Sequence, residues 1–293
     1  MAADDMDQDR RTAIEARLVV LRPALHRYAA RMVGSTLDGE DVAQEAIARA
    51  VAALDRVPPD ANPDGWLFRI AHNAALDFLR ARGRARSRMI EEDDLVSRAD
   101  EAASRVATGA ALSLFMQLPP SQRGAVILKD VLGYSNDESA GILGTTLAAT
   151  KAALHRGRNR LRLLADAPAA SPQLDPADLD RLRLYVDRFN ARDFDAIRTM
   201  IADDVRFDLV ARMQGGRASF ETYFSRYGAM AEWHLTVGSI DGRPAAVVTN
   251  PADPSGAPTH VIVIDWAGGK IARLRDFYHA RYVLDGATVR LLA

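Results

Sequence analysis

The stretch that most constrains this chain is LAATKAALHRGRNRLRLL, residues 147–164. Read at helical period, Leu147, Thr150, Leu154, Gly157 and Leu161 fall on one face. Lys151, His155, Arg158 and Arg162 fall on another, flanked by Arg156 and Arg160. The stretch holds five Lys or Arg and no acid. A solvated helix ordinarily mixes signs so that neighbouring charges attract. A one-signed stripe instead suits a polyanion, most commonly DNA phosphate, although a basic helix with a solvated face in an ordinary bundle would look the same by charge alone. The preceding residues favour DNA. Ser135 and Glu138 have capping-box spacing and predict a short helix through Leu143. Gly144 breaks it, and Thr145 or Thr146 can cap the next. Short helix, glycine turn and longer basic helix is the order of a helix-turn-helix, whose second helix enters the major groove.

The 293 residues, 48% of them apolar, have room for two or three domains with buried cores. The net charge of -1 conceals segregation. Positive charge collects in residues 66–89 and 147–164, negative charge in 38–55 and 91–101. Local charge is therefore the better guide to partners. With no Cys, disulfides and thiolate metal sites are excluded, in keeping with a cytoplasmic location. No apolar run has membrane-spanning length, and the acidic start MAADDMDQD does not fit a signal peptide. Neither membrane insertion nor a metal or other cofactor is expected.

Residues 1–11 are polar and read as frayed. Helical periodicity then runs from Thr12 past Met32 on a seam of Ile14, Leu18, Leu21, Leu25, Tyr28 and Met32, with a kink or break expected at Pro23. Gly34 to Gly39 read as a loop. Asp38 is placed to cap a helix to Leu54, with Val42, Ala46, Ala50 and Ala53 inside. Asp41, Gln44, Glu45 and Ala48 form a separate acidic face, either a solvated helix start or a dock for a basic partner. Asn62-Pro63 starts the next helix, to about Arg82, with Leu67, Ile70, Ala71, Ala74 and Phe78 inside. Asn73, Asp77 and Arg80 share its outer side, and Arg80, Arg82, Arg84, Arg86 and Arg88 follow one another closely. Trp66, Asn73 and Asp77 suit either a core Trp with a polar helix surface or equipment for an unpaired base. Residues 91–101 read as an acidic connector, followed by helices at 102–117 and 121–132.

DGEDVAQEAIARAVAAL, NPDGWLFRIAHNAALDFLRARGR, LPPSQRGAVILKDVLGYSNDESAGILG and LHRGRNRLR, in this order and spacing, resemble an extracytoplasmic-function sigma factor of the sigma-70 family. The resemblance covers residues 12–165. It implies two all-α domains on core RNA polymerase, region 2 over 12–88 and region 4 over 105–165, with an acidic linker over 89–104. Asp41, Gln44 and Glu45 would dock on polymerase. Trp66, Asn73, Asp77, Arg80, Arg82 and Arg84 would hold the melted minus-10 element with its bases flipped out. Ala148, Lys151, Ala152, His155, Arg156 and Arg158 would read the duplex minus-35 element. Where the family commonly has Thr-Val-Lys-Ser-Arg, this chain has Ala-Thr-Lys-Ala-Ala at Ala149 to Ala153, which keeps Lys151 and loses other polar side chains.

A minimal factor of this kind would stop near Leu164. Here a Pro/Ala linker, 166–177, leads into about 115 further residues. Helices are predicted at 178–190, 193–202 and 218–230, and strands at 204–210, 233–240, 244–250, 259–266 and 270–279, with Gly268-Gly269 as a hairpin turn. Helices followed by an antiparallel sheet make an α+β domain over 178–293. FNARDFDAIRTMIADDVRFDLV and DFYHARYV resemble the SnoaL-like polyketide cyclase domain of the nuclear-transport-factor-like cone fold, a curved antiparallel sheet around an apolar pocket. Arg206, Tyr223, Trp233, His234 and Asp276 are the candidate pocket residues, with Asp208 also near. Alternation puts Asp276 and His279 on opposite faces, so at most one enters a given pocket.

The reading is a non-enzymatic, promoter-selecting initiation factor. Its partners are core polymerase and promoter DNA, both duplex and melted. Its last domain modulates activity by binding a small molecule or by touching the sigma domains. The alternatives are a ligand-responsive helix-turn-helix repressor acting without polymerase, and a DNA-tethered cyclase or isomerase.

Overall fold

The computed structural model describes residues 2–54, 57, 62–83, 107, 111–165, 174–230 and 232–292. The chain divides into two compact units, Met1–Pro168 and Ala169–Ala293. The acidic connector, Arg84 and half of the helix predicted over 102–117 lie outside the described residues.

The first unit is all-α. Its first helix, α1 (Ala2–Val33), starts ten residues earlier than the periodicity predicts and continues through Pro23 without a break. Pro23 cannot bond the carbonyl one turn back, at Val19, but Val19 is exposed, so water can satisfy that carbonyl. Every seam residue from Ile14 to Met32 is buried. The second helix, α2 (Thr36–Ala52), is capped by Ser35 rather than Asp38: the Ser35 hydroxyl accepts from the Asp38 amide, which lies in the first turn. Gly39 is needed where α1 and α2 cross, because a Cβ there would sit 2.5 Å from Ala30 Cα. Helix α3 (Pro63–Gly83) starts as predicted, with the Asn62 side chain accepting from the Asp64 amide.

A short turn of helix, α4 (Leu112–Phe115), precedes α5 (Pro120–Val126), which runs on as a π-helical turn over Ile127–Val131. Then come α6 (Asn136–Leu143) and the basic helix α7 (Leu147–Ala165). The main hydrophobic core of the unit joins Leu25, Tyr28 and Met32 of α1 and Phe68 of α3 to Phe115, Val126, Ile127, Ile142, Leu154 and Leu161. Buried polar groups reinforce it. Arg123 donates to the carbonyl oxygen of Met32, at the end of α1, and to that of Leu118 at 2.8 Å. These carbonyls have no helical partner of their own. The Tyr28 hydroxyl lies 2.7 Å from His72 Nδ1.

The second unit is α+β. Asp175 caps α8 (Pro176–Asn190), whose Leu182, Tyr185, Val186 and Phe189 are buried at helical spacing. Next come α9 (Phe194–Met200), β1 (Ile201–Leu209), β2 (Met213–Gly215) and α10 (Ser219–Ala229). Strands β3 (His234–Ile240), β4 (Arg243–Thr249), β5 (Pro258–Ala267), β6 (Lys270–Asp276) and β7 (Val289–Leu291) complete the unit. The seven strands lie in the order β2-β1-β6-β5-β4-β3-β7. The sheet is mixed rather than purely antiparallel, because β1 pairs parallel with β6, Leu209 opposite Asp276. The sequence conceals this: β1 is separated from the β3–β6 meander by α10, and hairpin spacing reports only antiparallel neighbours. Strand β6 ends at Asp276, short of His279.

Candidate nucleic-acid interface and a buried polar cluster

The helix-turn-helix is built as its residues dictate. Ser135 and Glu138 form the reciprocal capping box, with bonds of 3.1 and 2.8 Å. Gly144 ends α6 in the left-handed conformation, φ 65°. Thr146 then accepts from the Ala149 amide at 3.2 Å and opens α7. The apolar seam of α7 turns inward: Thr150, Leu154 and Leu161 are buried, and a Cβ on Gly157 would lie 2.7 Å from Val126 Cγ2.

The first turns of α7 are the solvent-facing part. Ala148, Lys151 and Ala152 are exposed, and His155 and Arg156 are half-buried. Helices of this kind read base edges through their N-terminal residues. Arg158 must be removed from the candidate minus-35 set. It is buried, and its Nε and a terminal nitrogen bond both Asp130 carboxylate oxygens at 2.9 and 2.6 Å. Periodicity put Arg158 on the basic stripe because it cannot see Asp130, an acid 28 residues away in the π turn.

The second surface joins α2 and α3. Asp41 and Gln44 are half-buried and Glu45 is exposed. Asn73, Asp77, Arg80 and Arg82 are exposed on α3. Trp66 is half-buried, resting on Ile14, Leu54 and Val57. Two ion pairs cross between the helices, Arg49 to Asp77 at 2.9 Å and Arg82 to Asp38 at 2.9 Å. Arg49 also bonds Glu45 at 2.8 Å, and Arg80 bonds Asp77 at 3.1 Å. Hydrogen bonding to Arg49 holds the Asp77 carboxyl below the usual carboxylate range.

In the second unit the five candidate pocket residues do not come together. Arg206 and His234 are exposed, while Trp233 is buried and donates to the Tyr227 carbonyl at 2.9 Å. Asp208 is also buried, 3.5 Å from Arg273. Tyr223 and Asp276 do meet, in a cluster that the sequence reading only half identified. Asp276 Oδ2 accepts from the hydroxyls of Tyr223 at 2.9 Å and Tyr227 at 2.8 Å, one turn apart on α10. Oδ1 accepts from the Tyr278 amide at 2.8 Å and lies 3.5 Å from His260 Nε2. His260 Nε2 lies 2.9 Å from the Tyr227 hydroxyl, and its Nδ1 lies 2.9 Å from Thr259 Oγ1. Burial lowers the His260 pKa against the pull of Asp276. Burial and then the Asp276 charge raise Tyr223, Tyr227 and Tyr185. His279 is exposed, with its ring edge-on to that of Tyr278 at 4.9 Å. Spacing alone could have flagged Tyr227, four residues beyond Tyr223, but His260 sits in a continuous apolar run with no local signal.

Comparison with known proteins follows the same division. The family models for Sigma-70 region 2 and Sigma-70 region 4 match residues 19–85 and 109–161. SigE of Mycolicibacterium smegmatis, an ECF RNA polymerase sigma factor, is 35% identical over 144 residues, 47% of this chain, which spans only 56% of that relative's length. SigD of Mycobacterium bovis, another ECF RNA polymerase sigma factor, is 33% identical over 162 residues, covering 52% of this chain and 76% of SigD. The chain belongs to the extracytoplasmic-function sigma factors. Its second unit carries the SnoaL-like domain model over residues 182–274. A relative can share the longer span too: SigG of Mycobacterium tuberculosis is 26% identical to this sigma factor over 305 aligned positions, covering 92% of this chain and 82% of SigG. Among the described residues, no helix of this sigma factor is long and apolar enough to cross a membrane.

Proposed function

We propose that this sigma factor docks on core RNA polymerase through Asp41, Gln44 and Glu45 and directs it to promoters. It holds the melted minus-10 strand on Trp66, Asn73, Asp77, Arg80 and Arg82, with Arg84 next in sequence. It reads the minus-35 duplex with the start of α7, through Ala148, Lys151, Ala152, His155 and Arg156. The observation that carries this reading is one helical unit exposing both surfaces, the capped start of a basic helix and a mixed-charge α2–α3 face. A duplex-binding repressor would need only the first. The test is transcription by core polymerase from a promoter library, with the full chain and with residues 169–293 removed. Selection of a defined two-element promoter supports the reading, and no selection by either protein rejects it.

The SnoaL-like unit modulates rather than catalyses in this reading, and the chain works in the cytoplasm. Asp276 supports the first point. Its two oxygens already accept three protein hydrogen bonds and lie beside His260, so little acceptor capacity is left for a substrate proton. The truncated protein above reads the sign of the modulation.

A further inference from the structure

The α2–α3 surface contains an acid that its expected partner does not explain. A carboxylate on a helix facing a nucleic acid repels phosphate, yet Asp77 is exposed there, beside Arg80 and Arg82. The fold brings two guanidinium groups to it. Arg80 is local, three residues on along α3. Arg49 reaches across from α2, and each guanidinium bonds a different carboxylate oxygen. These bonds offset the charge of Asp77 and fix its plane, and each oxygen keeps a lone pair for a further donor. An ionised carboxylate only accepts hydrogen bonds, so among base edges it suits an exocyclic amine and rejects a keto oxygen.

We propose that Arg49 is a positioning residue for base selection: it aims Asp77 at the exocyclic amine of an unpaired adenine or cytosine. This rests on the reading above, that α3 faces the melted strand. Arg49 belongs to neither set of residues assigned there, being neither a docking acid nor part of the α3 row.

The experiment uses polymerase holoenzyme made with the wild-type chain and with Arg49→Gln, Arg49→Lys and Asp77→Asn. Each binds a set of single-stranded minus-10 oligonucleotides in which every position is varied between amine and keto bases, with signals normalised to the holoenzyme formed. Arg49→Gln should lower the amine-over-keto preference at one position by about two- to fivefold, as befits an ion pair between exposed groups. Asp77→Asn should lower it at the same position, and Arg49→Lys should restore much of it. A uniform loss of binding to every oligonucleotide in Arg49→Gln would overturn the proposal, because that is the mark of a phosphate contact. A preference moved by Asp77→Asn but not by Arg49→Gln would overturn the role of Arg49 alone. A preference moved by neither would overturn both this inference and the assignment of Asp77 to the melted strand.

Discussion

Replacing Asp130 separates a structural role for Arg158 from a DNA-reading one. The pair is nearly inaccessible, with side-chain exposures of 10% for Arg158 and 2% for Asp130, so solvent screening is weak. Asp130→Ala leaves the guanidinium buried without its counter-charge, a change that costs about 3–5 kcal/mol. With a denaturant slope of about 2 kcal/mol per molar urea and a cost of about 4 kcal/mol, the midpoint of the helical unit should fall by about 2 M. The double variant Asp130→Leu/Arg158→Met removes both charges and keeps the volume apolar. Its stability should return to within about 1–2 kcal/mol of wild type. Circular dichroism during urea titration measures both variants. Fluorescence anisotropy of holoenzyme on a promoter duplex measures DNA binding, which the double variant should retain. If Arg158 contacts the duplex, that variant will fold well yet lose about 1–3 kcal/mol of promoter affinity. That result, or an unmoved midpoint in Asp130→Ala, would refute the assignment.

Lys151→Glu reverses an exposed charge at the start of α7 and should weaken promoter binding by about 1–3 kcal/mol without changing the urea midpoint, as measured by the same two assays. Burial pushes His72 down to about 4, so the unfolded chain takes up a proton below about 6.5 that the folded chain refuses. Stability of the helical unit should therefore fall as pH drops from about 6.5 to about 4, by up to about 3 kcal/mol, and urea midpoints of His72→Gln should show a shallower slope over that window. Asp276→Leu strands the Tyr223 hydroxyl and the Tyr278 amide, at about 1–3 kcal/mol each, and leaves the Tyr227 hydroxyl with His260 alone. Thermal unfolding should show the SnoaL-like unit losing stability through this change.

The helical unit was the more legible half because its signals are local. Ser135, Glu138 and Gly144 act within one or two turns, and the α1 seam repeats at fixed spacing, so sequence order is nearly spatial order. What escaped was whatever depends on residues far along the chain. Arg158 belongs to Asp130, and His72 belongs to Tyr28, 44 residues away. Ser35 rather than Asp38 caps α2 because both are competent caps, and the choice turns on where α1 releases the chain. In the second unit five of the seven strands are legible within a few residues of their ends, whereas the three-residue β2 and β7 are not. The parallel pairing of β1, however, and the convergence of Tyr227 and His260 on Asp276, come from the sheet order. The candidate pocket failed at Arg206 and His234 for the same reason: polarity marks them as candidates, but strand register sets their exposure.

The parallel pairing of β1 with β6 also bears on how the protein is made. Residues 201–209 cannot form their parallel ladder until residues 270–276 have left the ribosome. The helical unit has all its parts by residue 165, and the hydrogen bonds within its helices are local contacts, which form fast. Each nascent chain therefore passes through an interval in which the helical unit is finished and the domain fused behind it is not. Any restraint that the second unit places on the first begins only after residues 270–276 have emerged.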